Sequence, residues 1–163
     1  MSFAPHLTLI SEALEILRRD FYLTDPTLLN PNNANPLLDG EWLELDSSYK
    51  MQRQQAGNEQ AVPAWQIFAE RGRYDTQAIQ KTDFLFVKGY EAETDIADFT
   101  GMAVGNKLVV DNVTIGGLAK RGLKKAAGNG QHMIFAYVTR MVGSGATQKV
   151  RYWCPNCPVY FTI

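Results

Sequence analysis

The chain has 163 residues, which is enough for one ordinary domain or for two very small ones that share a core. Its 16 basic and 17 acidic side chains give a formal net charge of -1, so no global field draws it toward nucleic acid or an anionic membrane. The apolar runs are far shorter than the ~18 residues of a membrane helix, and the N-terminus lacks the features of a secretory signal. We therefore expect a protein that is made and kept in the cytoplasm, at least initially, and that binds neither membrane nor nucleic acid.

The first 39 residues are predicted to form an N-terminal helix and an extended arm. Over residues 8–21, apolar residues recur at three- and four-residue spacing, as on one face of a helix, namely Ile10, Ala13, Leu14, Leu17 and Phe21. Residues 24–39 contain three prolines and four asparagines, which favour extended and turn geometry. We expect an irregular connector there.

From Gly40 onward the hydrophobic period changes to two, which predicts strands. Two stretches of the first half, GEWLELD from Gly40 and WQIFAERGR from Trp65, return in the second half as GNKLVVD and HMIFAYVTR. This repeat predicts two similar β units, at about residues 40–95 and 105–163. Two half-sheets with one apolar face each can bury those faces against one another. We therefore expect one mainly β domain over residues 40–163, an antiparallel barrel or sandwich.

Asp46 and Asp111 occupy equivalent places in the two units. Paired carboxylates can perform acid–base chemistry. An aspartate that directly follows a strand also suits a turn, because its side chain accepts hydrogen bonds from the next backbone amides. We expect the turn role for both residues, and a hairpin at the glycine-rich GSGA that begins at Gly143.

One basic patch holds four residues that are able to contact phosphates, Lys120, Arg121, Lys124 and Lys125. It lacks the interleaved aromatic residues of a surface that binds single strands. The chain also contains no phosphate-binding loop, nucleophile elbow or H-E-x-x-H motif. We therefore expect no enzyme: no catalytic residue and no cofactor.

The two cysteines, Cys154 and Cys157, lie in the sequence CPNCP. A structural zinc site needs four ligands, and the histidines His6 and His132 lie at opposite ends of the chain. A redox pair belongs at the start of a helix, where these proline-flanked cysteines do not fit. We expect a turn with two reduced, partly buried thiols and no metal site.

The order of these elements resembles the capsid decoration, or cement, proteins of tailed bacteriophages. The pattern runs from LDGEWLELD through AWQIFAERGRYDTQAIQKTDFLFVKGYEAETDI, AVGNKLVVD and HMIFAYVTRMV to KVRYW, over roughly residues 38–153. In such proteins a strand, a gap and two further strands complete a β-barrel. The corresponding stretches here are residues 105–111, 137–140 and 150–153.

The resemblance implies a non-enzymatic virion protein on the outer surface of an icosahedral head. It would bind the major capsid protein, bridge neighbouring capsomers and form a homo-oligomer, either a trimer or a dimer. Aromatic and arginine residues are enriched at the centres of protein interfaces. The candidate interface residues are Trp42, Tyr49, Arg71, Arg73 and Tyr74.

Two further interpretations remain open. A phage tail-tube or head–tail joining protein is also a small β-barrel that assembles through extended segments. A more remote alternative is a small β-barrel that binds nucleic acid or sugar through the basic patch at residues 120–125.

Overall fold

The computed structural model describes residues 6–10, 16–30, 32–53, 64–66, 81–87, 89–127, 131–155 and 159–162. Within these ranges the chain is mainly β, with two short 3-10 helices at Pro26–Leu29 and Gly145–Thr147. The strands are, in chain order, β1 (Leu7–Leu9), β2 (Ile16–Tyr22), β3 (Trp42–Leu45), β4 (Met51–Gln52), β5 (Ala64–Gln66), β6 (Lys81–Val87), β7 (Tyr90–Thr94), β8 (Ala97–Asp98), β9 (Lys107–Ile115), β10 (Leu118–Lys125), β11 (Gln131–Ile134), β12 (Ala136–Val142), β13 (Lys149–Cys154) and β14 (Val159–Thr162).

Seven strands form one large mixed sheet in the order β1-β7-β13-β12-β9-β10-β8. Neighbouring strands are antiparallel, except that β8 runs parallel to β10. The predicted mainly β fold is confirmed. The predicted closure into a barrel is not seen among the described strands, since β1 and β8 end the sheet at opposite edges and do not pair with each other.

The main core contains alternate residues of the large sheet. In β13, Val150 and Tyr152 are buried, whereas Arg151 and Trp153 retain exposure on the other face. Trp42 of β3 belongs to the same core cluster. The next residue of β3, Leu43, belongs instead to a second cluster beneath the connector, with Leu23, Leu29, Leu37 and Met51. Strand β3 is therefore buried on both sides, between the large sheet and the connector.

The two copies of the repeated sequence begin with the same local structure. In each copy a tight turn is closed by a backbone hydrogen bond, from Glu41 to Leu38 and from Asn106 to Ala103, both 3.1 Å. The glycine of each turn, Gly40 or Gly105, has a positive φ, +87° and +85° respectively. Glycine adopts that conformation without steric cost, as a turn with φ > 0 at its third position requires.

The strand that follows each turn is central in a group of three. β3 lies between β4 and β5, and β9 lies between β10 and β12. The lengths differ, because β3 has 4 residues and β9 has 9. The duplication of the whole unit stays a prediction.

The predicted N-terminal helix over residues 8–21 is wrong for the described part of that segment. Leu7–Leu9 is an edge strand beside β7, and Ile16–Tyr22 pairs along its length with Lys81–Val87. A spacing of four residues, as between Leu17 and Phe21 in the sequence, fits one face of a helix. It fits one face of a strand equally well, because side chains of a strand alternate and four is an even number. The distant partner strand decides between the two, and the sequence pattern does not contain it.

The connector is irregular and folds back on its own domain. Asp25 caps the short helix by accepting a hydrogen bond from the amide of Thr27. Side-chain oxygens of Asn30 and Asn33 accept from backbone amides two residues later, as asparagine does in turns. The buried leucines of this segment anchor it to the second core cluster.

Candidate functional site

The paired aspartates do not form an acid–base site. The prediction for Asp46 is confirmed, since its Oδ1 accepts hydrogen bonds from the amides of Ser48 and Lys50 at 2.7 and 2.9 Å. A hydrogen bond from the Thr24 hydroxyl, followed by the one from the Lys50 amide, lowers the pKa of this carboxyl below its usual value. The prediction for Asp111 is wrong, because strand β9 continues through it to Ile115.

Asp111 instead balances the charge of the basic patch. Its carboxylate lies 3.5 Å from the Lys124 ammonium and 4.0 Å from the Arg121 guanidinium. Lys120 and Arg121 are each only 2% exposed. Half of the predicted phosphate-contacting patch is therefore inside the protein.

A buried carboxylate, that of Glu41, lies at the centre of the contacts that hold Arg53 and Lys120. Glu41 is fully buried, and both of its oxygens accept from Arg53, at 2.7 and 3.2 Å. The same arginine donates to the carbonyls of Asn35 and Pro36 at 2.8 and 3.0 Å. Lys120 also donates to the carbonyl of Pro36, and burial lowers the pKa of this lysine. This network, called the connector clamp below, fastens the connector to the large sheet.

A second buried polar cluster joins β5 to the large sheet. The Gln66 carbonyl oxygen accepts from the hydroxyls of Tyr90 and Tyr152 at 2.7 and 2.5 Å, and its amide donates to the carbonyl of Gly40 at 3.0 Å. Burial raises the pKa of both phenols well above the usual value. These groups stay protonated at neutral pH and act as fixed hydrogen-bond donors.

The described cysteine has no reactive character. Cys154 ends β13 next to Tyr90, and burial raises the pKa of its thiol to about 12. A thiol of that pKa supplies almost no thiolate at neutral pH, and the thiolate is the nucleophile and metal ligand. Cys157 lies outside the described residues. Within the described ranges, no cluster of three or more His, Cys, Asp or Glu side chains is able to hold a metal ion.

The predicted interface residues fall in three different places. Trp42 is 3% exposed and packs edge-on against Phe135, with ring centroids 5.5 Å apart, so it belongs to the core and not to a contact surface. Tyr49 is 80% exposed in the turn that follows β3. The other candidates lie outside the described residues, namely Arg71, Arg73 and Tyr74.

The solvent-facing side of β1, β7, β13 and β12 gathers aromatic and charged residues that sequence reasoning did not name. We call it the outer sheet face and define it by eight residues, Thr8, Ile10, Glu91, Glu93, Tyr137, Arg140, Arg151 and Trp153. These residues alternate with the buried ones or flank them, as the pleat of a sheet requires. The alternation in KVRYWC carried a signal that Arg151 and Trp153 share a face. Only the sheet order reveals that this face is the outer one.

The outer sheet face is arranged in two rows across the strands. In the first row, Trp153 lies opposite Tyr137 on one side and Glu91 on the other, and the amide of Ile10 donates to the carbonyl of Glu91 at 2.8 Å. The Tyr137 and Trp153 rings lie 6.1 Å apart in a tilted arrangement. Trp153 is 47% exposed and Ile10 38% exposed.

In the second row, Arg151 lies opposite Arg140 on one side and Glu93 on the other, and Glu93 lies opposite Thr8. The Arg151 guanidinium contacts Oε2 of Glu93 at 3.1 Å. At a bulge between Val138 and Arg140, the hydroxyl of Thr139 donates a hydrogen bond to Glu91 at 2.7 Å. The face thus has an aromatic row beside an ionic row.

No family model matches this chain, and neither the comparison with curated proteins nor that with solved structures found a match. Among the described residues, no helix is long and apolar enough to cross a membrane.

Proposed function

We propose that this chain is a non-enzymatic virion protein, a decoration protein that binds the major capsid protein on the outside of a tailed-phage head. The order of its strand sequences supports this proposal. The observation that carries it furthest is the outer sheet face, an exposed surface suited to protein assembly, where the exposed Trp153 and the partly exposed Tyr137 lie beside Arg140 and Arg151. Aromatic residues and arginine are the residue types enriched at the centres of protein interfaces.

A protein that cements a shell needs broad contact more than it needs a pocket. Stable interfaces bury ~1,600 Å² in total. A sheet face provides contact at low entropic cost, because its backbone is already held by the ladder on both sides and only side-chain freedom is lost on binding. The buried side chains of Glu41 and Gln66 are occupied by hydrogen bonds to other parts of the fold, which favours a structural role.

Virions of the phage that encodes this chain provide the test. Quantitative mass spectrometry and electron cryo-microscopy of purified particles are expected to find the protein at stoichiometric copy number on the outer capsid surface. Absence from the head would refute the proposal. Location at the neck or in the tail, or rings formed by the isolated protein, would replace it with the tail-tube or head–tail joining alternative.

The nucleic-acid alternative meets a physical obstacle in the basic patch. Lys120 and Arg121 are themselves buried and would have to leave their hydrogen-bond partners before they reached a phosphate, while Lys124 is already paired with Asp111. Salt-dependent binding of DNA by the purified protein, weakened by changing Lys124 and Lys125 to Ala, would be needed to support that function.

A further inference from the structure

We propose that the outer sheet face pairs with the same face of a second copy of this chain, as a two-fold symmetric, face-to-face dimer. The proposal goes beyond the phage assignment and does not depend on it. It follows from the distribution of apolar surface and charge across β7, β13 and β12.

The first row supplies the apolar surface of the face. Single exposed apolar residues are ordinary on a protein surface, but contiguous ones mark a contact site. Here Ile10, Trp153 and Tyr137 follow one another across the sheet, with only Glu91 between Ile10 and Trp153. Trp153 is the most exposed tryptophan for which a side-chain position is described, and truncation of such a residue typically costs binding energy at an interface.

Both rows carry charge, and the two signs lie on different strands. The acidic residues of the face, Glu91 and Glu93, are on β7, and the basic residues, Arg151 and Arg140, are on β13 and β12. A two-fold axis that runs along the strands between β7 and β13 places β7 of each copy over β13 of the other and next to its β12. The same face is thus its own electrostatic complement.

Part of this charge is unmatched within one copy. Arg140 lies directly opposite Arg151, and like charges in that position destabilise a sheet. Arg151 donates to Oε2 of Glu93, while the guanidinium of Arg140 has no ion-pair partner among the described residues. In the dimer, Glu93 faces β13 of the second copy, and Arg140 gains an acidic strand beside it.

The size of the face sets the strength of the association. Four strands ~4.8 Å apart and about five residues long cover roughly 350 Å² per copy. This is about half of the ~800 Å² per partner that a standard interface buries. The dimer is therefore weak in dilute solution, with a Kd expected in the range of tens of micromolar or above. It becomes populated where many copies are held close together.

Complementary charge reversal tests the proposal on the purified protein, with no virus present. One variant carries Glu91→Lys and Glu93→Lys, and the other carries Arg140→Glu and Arg151→Glu. Each alone presents a face of one sign, so each is expected to be monomeric at concentrations where the wild type dimerises. Mixed together, the two are expected to form a heterodimer, because the reversed strand of one meets the reversed strand of the other. Sedimentation velocity and native mass spectrometry give the readout.

Two further measurements keep the test decisive if a reversed variant fails to fold. Trp153→Ala is expected to weaken the wild-type dimer about tenfold or more, whereas Leu118→Ala, at an exposed apolar residue of the same sheet but outside the face, leaves it unchanged. On dilution of the wild type, the indole NMR signal of Trp153 is expected to shift, and that of the buried Trp42 to stay fixed.

Several results would overturn the proposal: a wild type that stays monomeric at millimolar concentration, a mixture of variants that does not associate, or an equal effect of Trp153→Ala and Leu118→Ala. A monomeric wild type that nevertheless decorates heads would assign the face to the shell and remove the second copy. A dimer that is absent from virions would retain this proposal and refute the proposed function.

Discussion

Gly40 and Gly105 illustrate how the same residue in the same local conformation carries different constraints. Their φ values are nearly identical, but a Cβ at Gly40 would lie 3.1 Å from Cβ of Leu7, while a Cβ at Gly105 would meet nothing within 4 Å. The first glycine is therefore needed for backbone conformation and for space, and the second for conformation alone. The carbonyl of Gly40 also accepts the amide of the buried Gln66, so movement there disturbs a polar cluster.

This pair of glycines gives a matched prediction. Gly105→Ala is expected to lower the free energy of unfolding by about 1 kcal/mol, the cost of a positive φ for a residue with a Cβ. Gly40→Ala is expected to lower it by about 2–4 kcal/mol, because crowding against Leu7 adds to the same strain. Urea unfolding followed by circular dichroism measures both. Equal losses would show that the space around Gly40 relaxes without cost.

At the scale of elements, two ionic contacts fasten segments that the ladder alone holds weakly. β1 is an edge strand of 3 residues, and His6 beside it contacts Asp95 with Nδ1–carboxylate distances of 2.8 and 3.0 Å. The described part of the connector contains no regular strand, and it is held by Arg53 and its buried partner Glu41. Each contact joins parts of the chain that are distant in sequence.

The His6 contact predicts a pH dependence of β1. The hydrogen bond to Asp95 raises the pKa of this imidazole above 6.5, aided by the charges of Asp95 and Asp39 and opposed by burial and by Lys149. A raised folded-state pKa stabilises the fold at pH values below the unfolded pKa, and this contribution is lost as the pH rises through the folded value.

The measurement is hydrogen exchange of the Ile10 amide, which directly follows β1 and donates to the carbonyl of Glu91 on β7. Exchange is measured from pH 5.5 to pH 8 and corrected for its intrinsic pH dependence. The protection of the Ile10 amide is expected to fall once the pH rises above about 6.5. The variant His6→Asn is expected to remove the change. A wild-type protection that is the same at both ends of this range would contradict the role of His6.

The connector clamp predicts a large effect of one substitution. Arg53→Ala leaves the fully buried Glu41 carboxylate without its main counter-ion and is expected to lower the free energy of unfolding by about 3–5 kcal/mol. Adding Glu41→Gln is expected to recover part of this loss, since the buried charge is then gone. Arg140→Ala, on the exposed side of the sheet, is the control and is expected to change stability by less than about 0.5 kcal/mol. Equal effects of the two arginine variants would show that the clamp contributes nothing.

At the scale of the whole molecule, the large sheet encloses a core that keeps titratable groups neutral. Tyr90, Tyr152 and Cys154 lie together on its inner side, and burial shifts the pKa of each toward the protonated form. Their protection depends on the packing of the entire sheet and not on neighbours in sequence. They therefore report on global unfolding.

The alkylation rate of Cys154 can be used to follow global unfolding. A Cys157→Ser variant, in which Cys154 is the only cysteine, is used for the measurement. With its thiol pKa at about 12, alkylation at pH 8 is expected to be roughly a thousandfold slower in the folded protein than in urea. The rate is expected to rise in parallel with the loss of circular dichroism across the unfolding transition. Rapid alkylation under native conditions would mean that the inner side of the sheet is open to solvent.

The alternation of apolar and polar residues was sufficient to predict several strands and the hairpin between β12 and β13, where Val142 pairs with Lys149. It failed at Ile16–Tyr22 because a four-residue spacing fits two periods, and at Asp111 because nothing local shows how far a strand extends. The outer sheet face could not be predicted, since its rows combine residues from four strands. The burial of Lys120 and Arg121 was equally hidden, because the connector that covers them lies far away in the sequence.

The sequence by itself determined that this chain is mainly β, that a hairpin turn falls at the glycine-rich GSGA, and which residues of each recognised strand share a face. These properties depend on steric limits and periodicity within a few residues, which local sequence specifies. Only the tertiary structure decided which strands are neighbours, which face of the large sheet meets solvent and which charges are buried. Those outcomes depend on pairing between distant segments, where the free energy of burial and of ladder formation outweighs the local preference.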